Sequence, residues 1–166
     1  MKILILGAGR VGESVAENLV SERNDITVVD TDPVRLHELQ DRLDLRGVVG
    51  NGIQPSVLRE AGAEDTDMLV ACAPLDETNL VVCKIAHEVF NVPVTIARLR
   101  SPEFEDNSEL LGKGGFSVDH VIHPEQSVTA YIRKLIEYPE ALQVLEFAHG
   151  LVSLIAVRAV AGGPLV

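Results

Sequence analysis

At 166 residues with 46% apolar side chains, the chain is long enough to bury one ordinary domain core plus a smaller attachment, so a disordered polymer is excluded. Its formal net charge of −11 repels polyanions, which argues against nucleic acid or anionic lipid as a nonspecific partner. The apolar run Ile3 to Leu6 is too short for a signal-peptide core and no later stretch reaches the length of a membrane span, while the two cysteines, Cys72 and Cys83, lack metal-ligand spacing; a reducing cytosol is the expected setting.

Short β-branched runs alternate with helical periodicities through the first two thirds of the chain. Strands are predicted at Lys2 to Leu6, Ile26 to Asp30, Gly47 to Val49, Met68 to Ala73, Thr95 to Arg98 and His120 to Ile122. Between them, Val11, Val15 and Leu19 recur at helical spacing, Asp32-Pro33 makes a helix start, and a longer helix is predicted over Glu77 to Phe90. Such alternation implies right-handed βαβ crossovers and a doubly wound parallel sheet in the order 3-2-1-4-5, with strand six beyond. After His123 the pattern changes. Pro124 opens a helix with an apolar stripe of Val128, Ile132, Leu135 and Ile136, and Pro139 ends it. Leu142 to Glu146 and Leu151 to Val157 read as strands, followed by too little chain for a second core. The expected organisation is a nucleotide-binding lobe at 1–123, a crossover and dimerisation helix at 124–140, and the truncated start of a C-terminal lobe at 141–166.

The chemistry concentrates near the N-terminus. Gly7, Gly9 and Gly12 form a GxGxxG pattern after a strand and before an amphipathic helix, the context that distinguishes a Rossmann-like dinucleotide fingerprint from a glycine-rich turn. Gly7 suits the tight turn, Gly9 lets backbone amides approach a pyrophosphate, and Gly12 permits close helix packing, with the helix dipole facing the phosphates. Asp30 closes the second strand where this pattern puts a carboxylate that accepts adenosine ribose hydroxyls; a helix-capping role is the alternative, but Asp32 already fills it. The same charge opposes a 2′-phosphate, which favours NAD(H) or an adenine nucleotide over NADP(H). Arg35 falls within the following helix and reads as a solvated side chain.

Other candidates lie at carboxyl ends of strands, where open α/β sheets take ligands. Gly50-Asn51-Gly52 follows strand three, beside the adenine position, and reads equally as an ordinary turn. Ala73-Pro74 follows strand four and can meet the ribose or pyrophosphate edge. Arg98 follows strand five, as a phosphate partner or a surface salt bridge, and Arg10 faces either phosphate or solvent. His120, His123 and Glu125 suggest a metal cluster only weakly, since strand alternation sends the two histidines to opposite faces. No convincing proton-transfer residue accompanies the cofactor motif, so a regulatory binding module leads over the cofactor half of an NAD-dependent oxidoreductase.

MKILILGAGRVG, ITVVDTDPVRLHELQDRLDLR, GNG, SVLREAGAEDTDMLVA, DETNL and VDHVIHPEQSV together resemble the regulators of potassium conductance, the RCK or KTN domains, over nearly the whole chain. That resemblance implies a cytosolic, homo-oligomeric subunit that binds NAD(H), and in some members ATP or ADP, while attached at the inner membrane to a Trk-type membrane potassium transporter. The positions it implicates are Gly7, Ala8, Gly9, Arg10, Val11, Asp30, Asn51, Gly52, Ala73, Pro74 and Arg98. Many members carry a polar residue after strand four, where this chain has Ala73-Pro74-Leu75; the expectation is that any ligand contact there comes from backbone.

Overall fold

The computed structural model describes the backbone of residues 1–20, 24–139, 141–147 and 151–159, with their side chains apart from positions 105, 125–128, 130, 135, 146 and 147. The chain divides into two compact units, Met1–His123 and Pro124–Val166.

The first unit is a six-stranded parallel sheet in the order β3-β2-β1-β4-β5-β6, formed by Lys2–Leu6 (β1), Asp25–Asp30 (β2), Arg46–Val49 (β3), Met68–Ala71 (β4), Val94–Arg98 (β5) and His120–Ile122 (β6). Alternation along β1 sorts the core into two layers. Ile3 and Ile5 pack under Ala16 of α1 (Arg10–Val20) and Leu36 and Leu39 of α2 (Pro33–Arg42). Leu4 and Leu6 join the opposite cluster with Leu58 of α3 (Pro55–Glu60) and Leu80, Val82 and Phe90 of α4 (Asp76–Phe90). Because both faces of β1 are covered, its four residues from Ile3 to Leu6 are all buried; each such side chain contributes about 1.5–3 kcal/mol of burial.

Asp32 starts α2 as predicted. Its Oδ1 accepts the Val34 and Arg35 amides at 2.9 and 3.4 Å, with Pro33 at the first helical position. Strand β4 ends two residues before the expected Ala73. The Cys72 amide still reaches the Leu6 carbonyl at 2.8 Å, but the Ala73 amide turns to the Asn79 side chain, so the ladder stops there. The short helices α3, α5 (Glu103–Asp106) and α6 (Ser108–Leu111), and the 3₁₀ turn Ala63–Asp65, were not predicted. A segment of four to six residues carries too few turns for a hydrophobic period to show.

In the second unit, α7 (Pro124–Glu137) precedes an antiparallel pair, β7 (Ala141–Phe147) and β8 (Val152–Val157). Ile132 and Ile136 are 51% and 74% exposed, whereas Val144 of β7 is buried. The side chains of Val128 and Leu135, and the glycine-rich stretch 162–164, lie outside the described residues.

Candidate functional site

The loops that follow β1 and β4 leave neighbouring strands for opposite faces of the sheet, which opens a crevice at their carboxyl ends. The turn out of β1 needs glycine. Gly7 has φ +100° and donates its amide to the Val29 carbonyl at 2.8 Å, and a Cβ there would stand 3.0 Å from the Cys72 carbonyl oxygen. A Cβ at Gly12 would fall onto the Gly7 carbonyl, so this glycine lets α1 pack against the turn. Gly9 is different: nothing lies within 4 Å of its Cβ position. The space above Gly9 is open to a ligand, at the end of α1 where the first-turn amides have no intrahelical acceptor.

Asp30 reaches this turn from β2. Its Oδ2 accepts the Ala8 amide at 2.6 Å and its Oδ1 accepts the Asp32 amide at 2.9 Å, while its carbonyl accepts the Gly50 amide at 2.8 Å. One half-buried residue thus ties together the loops after β1, β2 and β3.

Two cavities of about 340 and 330 Å³ flank it, and Gly7, Asp30 and Pro74 line both. The first is cationic, lined also by Gly9, Arg10, Val11, Arg35, Arg98 and Arg100, with Cys72 in its wall. The second is mostly apolar, lined by Leu6, Val29, Ala73 and Leu75, with Asn51, Gly52 and the hydroxyl residues Thr31 and Thr78 beside them. Every predicted contact residue except Ala8 lines one of the two. Ala8 lines a third cavity of about 390 Å³ between α1 and α2, which also takes in Gly9, Arg10 and Arg35.

Residues 3–124 match the TrkA-N domain profile. The chain belongs to the TrkA-N domain family. It is 58% identical over 167 residues to the Trk system potassium uptake protein TrkA of Vibrio alginolyticus, covering 100% of this chain and 36% of that protein. The chain therefore spans about a third of the length of that relative. The fold is that of the TrkA-N domain of the inner membrane protein ybaL from Escherichia coli, with a TM-score of 0.70 at 22% identity over 81% of this chain and 96% of that one. A structure described as the GsuK channel bound to NAD gives a TM-score of 0.63 at 18% identity, over 88% of this chain and 25% of that one.

Within the TrkA-N domain, the turn after β4 is held by a buried side chain. The Ala73 amide donates to Asn79 Oδ1 at 2.8 Å and the Ala73 carbonyl accepts from Asn79 Nδ2 at 3.0 Å; Pro74 has no amide proton. Neither residue has a free N–H to offer, so a backbone contact from this turn to a ligand falls to its carbonyl oxygens, beside an apolar wall. Asn79 Nδ2 also donates to the Arg98 carbonyl at 2.8 Å, and the Asp76 carboxylate accepts the amides of Arg100 and Ser101. These two side chains from the first turn of α4 fix the ends of β4 and β5. Sequence reasoning missed both, along with Arg100 and the cleft-facing position of Arg35.

Arg98 is only 8% exposed, which removes the surface salt bridge as its description. Arg35 is exposed and lies 3.3 Å from Asp32, yet it also lines the cationic cavity. Burial pushes the Cys72 thiol up to about 11, against the pull of Arg98, and pushes Cys83 up to about 12, so both are inert, protonated core groups at neutral pH. His120 is exposed while His123 is buried with Nδ1 2.8 Å from the Leu99 carbonyl; the side chain of Glu125 lies outside the described residues. Among the described residues no group of three His, Cys, Asp or Glu is placed to hold a metal.

Proposed function

We propose that this TrkA-N domain is a nucleotide sensor that binds NAD(H) without transforming it, with ATP or ADP competing for the same crevice, inside a cytosolic regulatory subunit of a Trk-type potassium uptake system. The observation that carries the reading is the convergence of the Gly7 turn, the Asp30 carboxylate and Arg98 on one crevice at the β1–β4 switch point. The apolar cavity suits an adenine base. The remaining lone pairs of Asp30 suit the adenosine ribose hydroxyls, and the four arginines with the α1 terminus suit a pyrophosphate. Contacts to a bound nucleotide are assigned to Gly7, Ala8, Gly9, Arg10, Val11, Asp30, Asn51, Gly52, Ala73, Pro74 and Arg98, with Ala8 acting through Asp30 and Ala73 by apolar contact.

The 58% identity to a potassium uptake protein supports the transporter as partner, and the neighbour described as bound to NAD supports the ligand class. No helix among the described residues is long and apolar enough to cross a membrane, consistent with a subunit that reaches the inner membrane through its transporter. A ligand sets potassium flux only by binding one arrangement of a homo-oligomer better than another. The test measures potassium uptake in vesicles containing the full-length protein and its transporter, with NADH, NAD and ATP varied separately. Asp30→Ala should keep assembly and lose most of the nucleotide response. An unchanged response in a variant shown by titration to have lost binding would overturn the sensing role.

A further inference from the structure

Asn79 is fully buried, at 0% exposure, on the first turn of α4. Its carboxamide makes three hydrogen bonds, all to backbone at the ends of two neighbouring strands: it accepts the Ala73 amide and donates to the Ala73 and Arg98 carbonyls. The task requires one acceptor and two donors on adjacent atoms. A carboxylate of the same size offers acceptors only, and a hydroxyl offers one donor. A buried amide left partly unpaired is costly, so the satisfied set holds both strand ends at a fixed separation.

Those strand ends belong to different halves of the crevice. Ala73 lines the apolar cavity and Arg98 lines the cationic one. We infer that Asn79 is a specificity-determining positioning residue that sets the spacing between the two halves and thereby selects ligands spanning both. The inference rests on the nucleotide-site reading above. A dinucleotide must place its base and its pyrophosphate correctly at once, so a small shift of Arg98 relative to Ala73 costs it contacts at one end. Adenosine, which has the base and ribose but no phosphate, needs only the apolar half and tolerates the same shift.

The experiment titrates the full chain and its Asn79→Asp and Asn79→Ser variants with NADH and with adenosine, and records thermal melting of each. In folded variants NADH affinity should fall roughly tenfold or more and adenosine affinity less than about threefold, so the NADH-to-adenosine ratio drops. For Asn79→Asp, lowering the pH should restore part of the NADH affinity, because a protonated acid regains one donor. A loss equal for the two ligands, or no loss, overturns the proposal while leaving the nucleotide site standing. Failure of the wild type to bind either ligand overturns the site itself and this inference with it. If neither variant folds, amide exchange in the wild type decides: NADH should slow exchange at Ala73 more than adenosine does, and equal slowing by both overturns the role.

Discussion

The carboxylate of Asp30 accepts the Ala8 amide at 2.6 Å, which makes it a strut of the glycine turn as well as the proposed ribose acceptor. Removing it acts twice. NADH should bind roughly tenfold or more tighter than NADPH, because a 2′-phosphate meets the carboxylate. Asp30→Ala should narrow that gap, weaken NADH, and lower the melting temperature by a few degrees as the Ala8 and Asp32 amides lose their acceptor. Calorimetric titration with both cofactors and a melting curve read the two effects separately. Equal affinity of the wild type for NADH and NADPH would remove the ribose role.

Glycines in the same motif should fail in different ways. A side chain at Gly9 enters open space, so Gly9→Val should leave stability nearly unchanged and abolish NADH binding. Gly12→Ala drives a Cβ into the Gly7 carbonyl and should cost about 1–3 kcal/mol of stability. Arg98→Ala should weaken NADH more modestly than Gly9→Val. Denaturant unfolding alongside titration separates these outcomes, and normal NADH affinity in folded Gly9→Val contradicts the proposed pose.

The buried thiols predict alkaline lability. Cys72 and Cys83 have folded values of about 11 and 12, above the unfolded thiol range, so the unfolded chain loses these protons first. Their contribution is fully present below about pH 8.5 and declines as pH rises through the folded values, with a slope of at most about 1.4 kcal/mol per pH unit for each thiol. Urea unfolding of the wild type and Cys83→Ala between pH 7 and pH 10.5 should show a shallower decline in the variant. Parallel declines would count against burial as the cause.

The exposed faces of Ile132 and Ile136 on α7 suggest an interface with another copy of the chain. Light scattering should give a homodimer or larger, and Ile132→Asp should reduce the mass. A monomer at micromolar concentration, unaffected by that substitution, would remove α7 as the contact.

The sheet was legible because β1, β2 and β4 are short apolar runs bounded by glycine, aspartate and proline, and their order follows from short crossovers. Asp32 announced α2 through the Asp-Pro pair, and GxGxxG announced the crevice. Asn79 was hidden for a physical reason. A polar residue on an amphipathic helix looks like a solvated one, and only the folded turn at Ala73 and the end of β5 at Arg98 reveal that its partners are two carbonyls and an amide. Arg100 was hidden likewise, because the carboxylate of Asp76, 24 residues earlier, holds its backbone where the side chain joins the cationic cavity. The end of β4 was misplaced because period-two patterning does not tell where a strand amide leaves the ladder for a side chain.

The donorless turn at Ala73 and Pro74 has a kinetic consequence. A wall without amide donors asks for fewer matching polar edges on the base, and fewer directional bonds must break before the base departs. More of the grip then falls to Asp30 and the arginines of the cationic cavity, whose charge-assisted contacts weaken with salt, and residence time should shorten as ionic strength rises. In a nucleotide sensor of the kind proposed, quick release matters as much as tight capture.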